Sequence, residues 1–126
     1  MEALIDENET ARYTFGLLED EIDPTPMWGE LISDWHAGLS KGRMAARFHN
    51  GVAAALLEAC QNARQRTSCT VVAISGGVWQ NVALLGRVVV FLRQAGFTVL
   101  FHQRVPTNDG GLALGQALIA AKSGLI

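Results

Sequence analysis

The chain has 126 residues, of which 49 % are apolar and only 17 % charged, and its net charge is −2. This length suits one domain or a piece of a larger one. The acidic balance leaves no basic footprint for nucleic acid, and no apolar run reaches the roughly 20 residues that span a bilayer. Ordinary soluble domains carry about 25 % charged residues. The deficit fits either a compact alanine-rich domain or a surface normally covered by more protein. Cys60 and Cys69 form no disulfide framework and have no metal-ligand spacing, so a reduced, cytoplasmic setting is expected. The acidic N-terminus lacks a basic n-region and a long apolar core, so no signal peptide is expected.

Residues 1–26 are acidic, and within them 12–18 read as an edge strand before the Pro24/Pro26 break. Met27, Leu31, Ile32 and Trp35 have helical spacing, and Gly38 is placed to stop that short helix. Ser40 suits the N-cap of a long helix over 41–65, with Met44, Phe48, Val52, Ala55, Leu56 and Ala59 on one face. A strand over 69–74 and a helix over 79–95 follow, with Gly96 as the C-terminal stop. A strand over 97–101, a loop and a helix over 110–122 complete the chain. The expectation is one α/β domain: an acidic segment 1–26, a helical part 27–65 and a β-α-β-α part 69–122. Its short mixed sheet should hold parallel strands joined by a right-handed crossover.

The run Val71-Val72-Ala73-Ile74-Ser75-Gly76-Gly77-Val78-Trp79-Gln80-Asn81 carries an apolar strand through a glycine pair into a helix. A second junction of this kind is Pro106-Thr107-Asn108-Asp109-Gly110-Gly111. Glycines let an anion approach the backbone amides, and parallel strands put both loops on one sheet edge. Two such loops suggest a phosphate or nucleotide site. Asn81 falls with Val78, Leu85, Val88 and Leu92 on the inward helix face; its amide either ties down the glycine loop or contacts a nucleotide. Asp109 reads first as a helix cap, a duty that Thr107 or Asn108 can also take. Beside a bound phosphate, however, a carboxylate needs an intervening cation, which would make Asp109 a metal ligand. His49 borders the apolar face of its helix and could reach a cleft, but it reads first as a satisfied surface or boundary histidine. His36 and His102 have no partner at ligand spacing. Gln116 is the polar exception in a last helix of small residues and reads as a buried amide.

Three stretches together resemble the hydrogenase maturation carbamoyltransferase family HypF. They are Arg47-Phe48-His49-Asn50, Ser75-Gly76-Gly77-Val78-Trp79-Gln80-Asn81, and Val105-Pro106-Thr107-Asn108-Asp109-Gly110-Gly111-Leu112-Ala113-Leu114-Gly115-Gln116. The resemblance runs from about 13 to 122 and corresponds to the C-terminal end of that family. It implies part of a carbamoyltransferase domain similar to the tRNA threonylcarbamoyl-transfer enzymes, with the actin/hexokinase-like (ASKHA) ATPase fold. The implied activity makes carbamoyl-adenylate from carbamoyl phosphate and ATP. The carbamoyl group then passes to the C-terminal cysteine of the partner HypE, on the route to the cyanide ligands of [NiFe] hydrogenase.

By motif match, Ser75, Gly76, Gly77 and Asn81 would bind the nucleotide, with Gly110 on the second loop. Asp109 would bind a divalent metal, zinc or iron. No catalytic residue is assigned. The family's His-x-x-x-His metal pair does not occur in this sequence. The expectation is therefore a domain fragment or truncated reading frame, inactive alone, with the rest of a HypF chain as its natural cover. Self-association through Trp28 and Trp35 is the corresponding expectation for the isolated chain. The alternatives are another ATP-dependent enzyme of the same fold, such as a sugar kinase or tRNA-modifying transferase, and a non-catalytic interaction module.

Overall fold

The computed structural model describes residues 4–18 and 21–124. Chain order is β1 (Gly16–Leu18), β2 (Glu21–Asp23), α1 (Thr25–His36), α2 (Lys41–Thr67), β3 (Val71–Ile74), α3 (Val82–Gln94), β4 (Thr98–Phe101) and α4 (Leu112–Lys122). It is an α/β structure of short sheets and packed helices. Among the described residues the expected mixed sheet is two separate pairs: β1 with β2 antiparallel, and β3 with β4 parallel. The expected strand over 12–18 shrinks to three residues, because the chain before it is held by α2 instead. The Tyr13 N–H donates to the Arg47 carbonyl at 3.1 Å, and the Phe15 ring meets Phe48 edge-on at 6.2 Å. Gly51 permits that approach, since a Cβ there would lie 2.5 Å from the Tyr13 carbonyl oxygen.

Local chemistry sets the helix ends. The Asp23 carboxylate accepts from the Thr25 hydroxyl at 2.6 Å and its amide at 2.9 Å, turning the chain into α1. These two bonds hold the Asp23 carboxyl below its ordinary pKa. Ser40 caps α2 by accepting the Arg43 N–H at 3.3 Å. This helix runs two residues past the expected end. Arg64 braces its last turns, donating to the Ala95 carbonyl at 2.8 Å with its guanidinium 4.3 Å above the Phe97 ring. Ser68, in the left-handed conformation, then stops it. Instead of one apolar stripe, α2 buries small residues on more than one side, Ala45, Ala46, Ala53 and Ala55 among them. Small side chains let neighbours come close to the helix axis.

The core lies between α2, α3 and one face of the parallel pair. Ala53, Ile74, Leu84, Val88, Leu92, Phe97 and Val99 form it, and burial pushes the nearby Cys60 thiol above its ordinary pKa. The opposite sheet face, Val71, Ala73, Thr98 and Leu100, is exposed. Parallel sheets are usually covered on both faces. The last helix has no buried residue, and Gln116, expected as a buried amide, is exposed. Trp28 and Trp35 are exposed on α1. No helix among the described residues is long and apolar enough to cross a membrane.

Candidate functional site

In the parallel register Ile74 stands opposite Phe101, so the chain leaves both strands at the same level. Ser75 and His102, one residue past each strand end, meet there, with Oγ 3.1 Å from Nε2. The Gly76 N–H donates to the Thr107 carbonyl at 2.8 Å and joins the two glycine-containing loops. Gly76 has φ +109 and ψ 164, a region essentially closed to residues with a Cβ. Around this junction lies an open cavity of about 360 Å³, lined by Ser75, Gly76, His102, Asn108, Asp109 and Gln116 among others. That volume is within the range of small-molecule sites.

The second loop divides two duties between neighbours. The Asn108 side chain accepts the Gly110 N–H at 3.0 Å and caps the single 3₁₀ turn Asp109–Gly111 that leads into α4. That turn delays α4 to residue 112, two later than expected. Asn108 thus caps this turn, α4 itself starts after Gly111 without a side-chain cap, and the exposed Asp109 carboxylate lines the cavity.

The first loop behaves alike. Gly77–Gln80 form one 3₁₀ turn, so α3 starts at Val82 rather than 79, and Val78 is exposed instead of facing the core. Asn81 is not inside the helix but caps it: Oδ1 accepts the Leu84 N–H at 2.9 Å. Its Nδ2 lies 2.8 Å from Nε2 of His49, whose Nδ1 lies 2.8 Å from the Ala45 carbonyl. His49 is 2 % exposed and reaches no cleft.

Of the residues singled out in the sequence, the structure therefore brings Ser75, Gly76 and Asp109 to one cavity. Gly77 and Gly110 flank it on the same loops, and Asn81 stands behind the glycine turn. Sequence reasoning missed His102. Its signal was the equal register, since residues that directly follow paired parallel strand ends are neighbours.

The Arg47-Phe48-His49-Asn50 stretch is a hub on α2. Arg47 pairs with Asp34 at 2.8 Å and Glu9 at 3.2 Å. Desolvation opposes the Arg47 charge, but these two carboxylates outweigh it and raise its pKa. Asn50 donates to the Glu9 and Ala11 carbonyls at 3.1 and 3.0 Å and accepts from Arg87 at 2.8 Å. Burial first, then the Asp34 carboxylate, pushes the Tyr13 hydroxyl up to about 12.

Two loops from parallel strands, closed on one cavity at the strands' carboxyl ends, define the ligand-binding edge of an α/β protein. Residues 1–116 match the family described as carbamoyltransferase, Kae1-like domain, second subdomain. The chain belongs to this HypF carbamoyltransferase family. It is 38 % identical over 100 residues to the carbamoyltransferase HypF of Rhodobacter capsulatus, covering 79 % of this chain and 13 % of that protein. A HypF homolog of Cupriavidus necator is 39 % identical over 92 residues, covering 73 % of this chain and 23 % of the relative. The crystal structure of a full-length HypF in the phosphate- and nucleotide-bound form is similar with a TM-score of 0.87 and 38 % identity. That match covers 96 % of this chain and 16 % of the solved one. The HypF of T. kodakarensis shares the fold at a TM-score of 0.78 and 20 % identity, over 92 % of this chain and 15 % of its own. The chain thus spans less than a quarter of the curated relatives described.

Proposed function

We propose that this chain forms one wall of the nucleotide and metal site of a HypF carbamoyltransferase, in a domain of the actin/hexokinase-like ATPase fold. The activity inferred for the whole protein is formation of carbamoyl-adenylate from carbamoyl phosphate and ATP. The carbamoyl group then moves to the C-terminal cysteine of a HypE-like acceptor in the cytoplasm. In that transfer the thiolate forms a C–S bond to the carbamoyl carbon, and AMP leaves with the electrons of the broken C–O bond. The observation that carries the reading is the Gly76–Thr107 clasp, which gathers Ser75, His102 and Asp109 around one cavity. Support also comes from family membership and from a similar protein solved with phosphate and nucleotide.

On this reading Ser75 and Gly76 face the nucleotide, Gly77 and Gly110 shape the loops that flank it, and Asn81 supports the turn from behind. With His102 Nε2–H donating to Ser75 Oγ, the Ser75 hydroxyl proton is free for an anionic oxygen. Asp109 fits a metal ligand, because Asn108 takes the cap and leaves its carboxylate uncommitted to the turn. No group of three His, Cys, Asp or Glu able to hold a metal exists among the described residues. The remaining ligands are therefore assigned to other parts of the intact protein. A divalent zinc or iron held there would neutralise phosphate charge beside this carboxylate.

The test replaces Asp109 by Asn in the full-length enzyme and measures metal content, carbamoyl transfer and melting temperature. Asn is nearly isosteric and loses only the charge. Metal occupancy and transfer should each fall tenfold or more, the scale of change seen even for partners of metal ligands. Melting should barely move. Normal metal content and transfer would remove the metal from the account.

A further inference from the structure

We propose that His49 is a positioning residue for the nucleotide loop, acting through Asn81; this inference rests on the nucleotide reading above. His49 lies on α2, 2 % exposed, and reaches the cap residue Asn81 by hydrogen bond. A carbonyl oxygen can only accept, so the 2.8 Å contact with Ala45 makes Nδ1 the donor. That choice of tautomer leaves Nε2 as an acceptor facing Asn81 Nδ2 at 2.8 Å. The Asn81 amide is thereby gripped at both ends, its nitrogen by the ring and its oxygen by the Leu84 N–H at 2.9 Å. It cannot turn over without breaking both bonds.

The backbone of Asn81 also closes the turn in front of it, its N–H donating to the Val78 carbonyl at 3.1 Å. Ring, amide, helix start and glycine turn thus form one chain of contacts from α2 to the edge of the cavity. Both ring nitrogens are spent inside the protein, so His49 has no free atom for a metal or substrate. Removing its acceptor leaves a half-buried amide donor unpaired and lets the cap and turn drift together. A misplaced loop weakens a ligand that it touches even though the mutated atom never does.

The experiment measures ATP binding, and separately KM and kcat, in the full-length enzyme carrying His49→Leu or His49→Gln. Gln has an amide oxygen near the place of Nε2 and can accept the same bond. His49→Leu should weaken ATP about tenfold and raise KM, with kcat held within about twofold, a loss of roughly 1.4 kcal/mol. His49→Gln should recover most of that loss. Asn81→Ser supplies the second route if His49→Leu folds poorly: Ser keeps the cap and deletes Nδ2. It should weaken ATP to a similar degree. Adding His49→Leu to it should cost nothing more, because the two residues act through one bond. Wild-type affinity in His49→Leu, or additive losses in the double variant, would overturn the proposal while leaving the site in place. Absence of ATP binding by the wild-type enzyme would remove the site itself, and the proposal with it.

Discussion

The two β-loop-α units of this chain, β3 into α3 and β4 into α4, look alike in sequence and end up in opposite conditions. α3 buries Leu84, Val88 and Leu92 against α2 and the sheet and exposes Gly86, Arg93 and Gln94 together with Val82 and Val90. α4 carries Leu112, Leu114, Leu118 and Ile119 without one residue buried. A helix with one apolar stripe completes itself against a single partner, whereas one apolar all round belongs inside a larger body. The first unit is a packed piece of core; the second lies open, as does the other sheet face. The candidate site lies on the seam between them, with the glycine turn anchored in the packed half and Asp109 on the unpacked one.

The same substitution made in each half tests this contrast most strongly. Leu92→Ala, at a position 1 % exposed, should cost about 2–5 kcal/mol in urea unfolding of the chain. Leu118→Ala, at a position 62 % exposed, should fall within roughly 0.5 kcal/mol of the parent. Equal losses would erase the distinction. Next in size is Gly76→Ala, which forces a Cβ into the φ +109 conformation and should cost about 1–3 kcal/mol. Heat denaturation reads the stability, and ATP titration of the full-length protein should show weakened binding. An unchanged melting temperature would mean that the loop relaxes freely.

The smallest effect concerns the N-terminal segment. The Ala11 N–H, then Arg43, with Arg47 adding to them, pulls the Glu9 carboxyl from 4.5 down to about 2, against the opposing effect of burial. A depressed carboxyl contributes its stability in full above pH 4.5 and loses it as pH falls through about 2. Protection of the Ala11 and Tyr13 amides, taken relative to their intrinsic exchange rates, should therefore fall across that window. Glu9→Gln should already exchange faster at neutral pH and lose the acid dependence. A parent whose exchange in this segment keeps the same pH profile as Glu9→Gln would contradict the assignment.

How much of this was legible follows from range. Ser40 as a cap, Gly96 as a stop and the order of strand, loop and helix are local, and local chemistry writes them into the sequence. The start of α3 is not local. Helical spacing ran on through Val78, but Gly76 holds a backbone conformation that breaks the helix before it begins, and His49 fixes Asn81 from another element. Asp109 had the first claim to the cap, with Thr107 or Asn108 able to replace it, until the fold gave the turn's cap to Asn108. His102 was invisible because its partner is 27 residues away and meets it only through the strand register. The family resemblance pointed to two loops that the fold brings together, yet it could not distinguish residues that line the cavity from those that brace it. Arg47, His49 and Asn50 are in the matching stretch and are all engaged inside the protein.

The backbone bond between Gly76 and Thr107 also has a thermodynamic consequence. It ties the loop assigned to the nucleotide to the loop that carries Asp109, so a displacement of one is transmitted to the other. If binding at either loop shifts this shared position, occupancy of one raises or lowers affinity at the other by the same factor in both directions. No side chain takes part in that link. Exchanging side chains around the cavity would alter each affinity separately and leave the reciprocity between them standing.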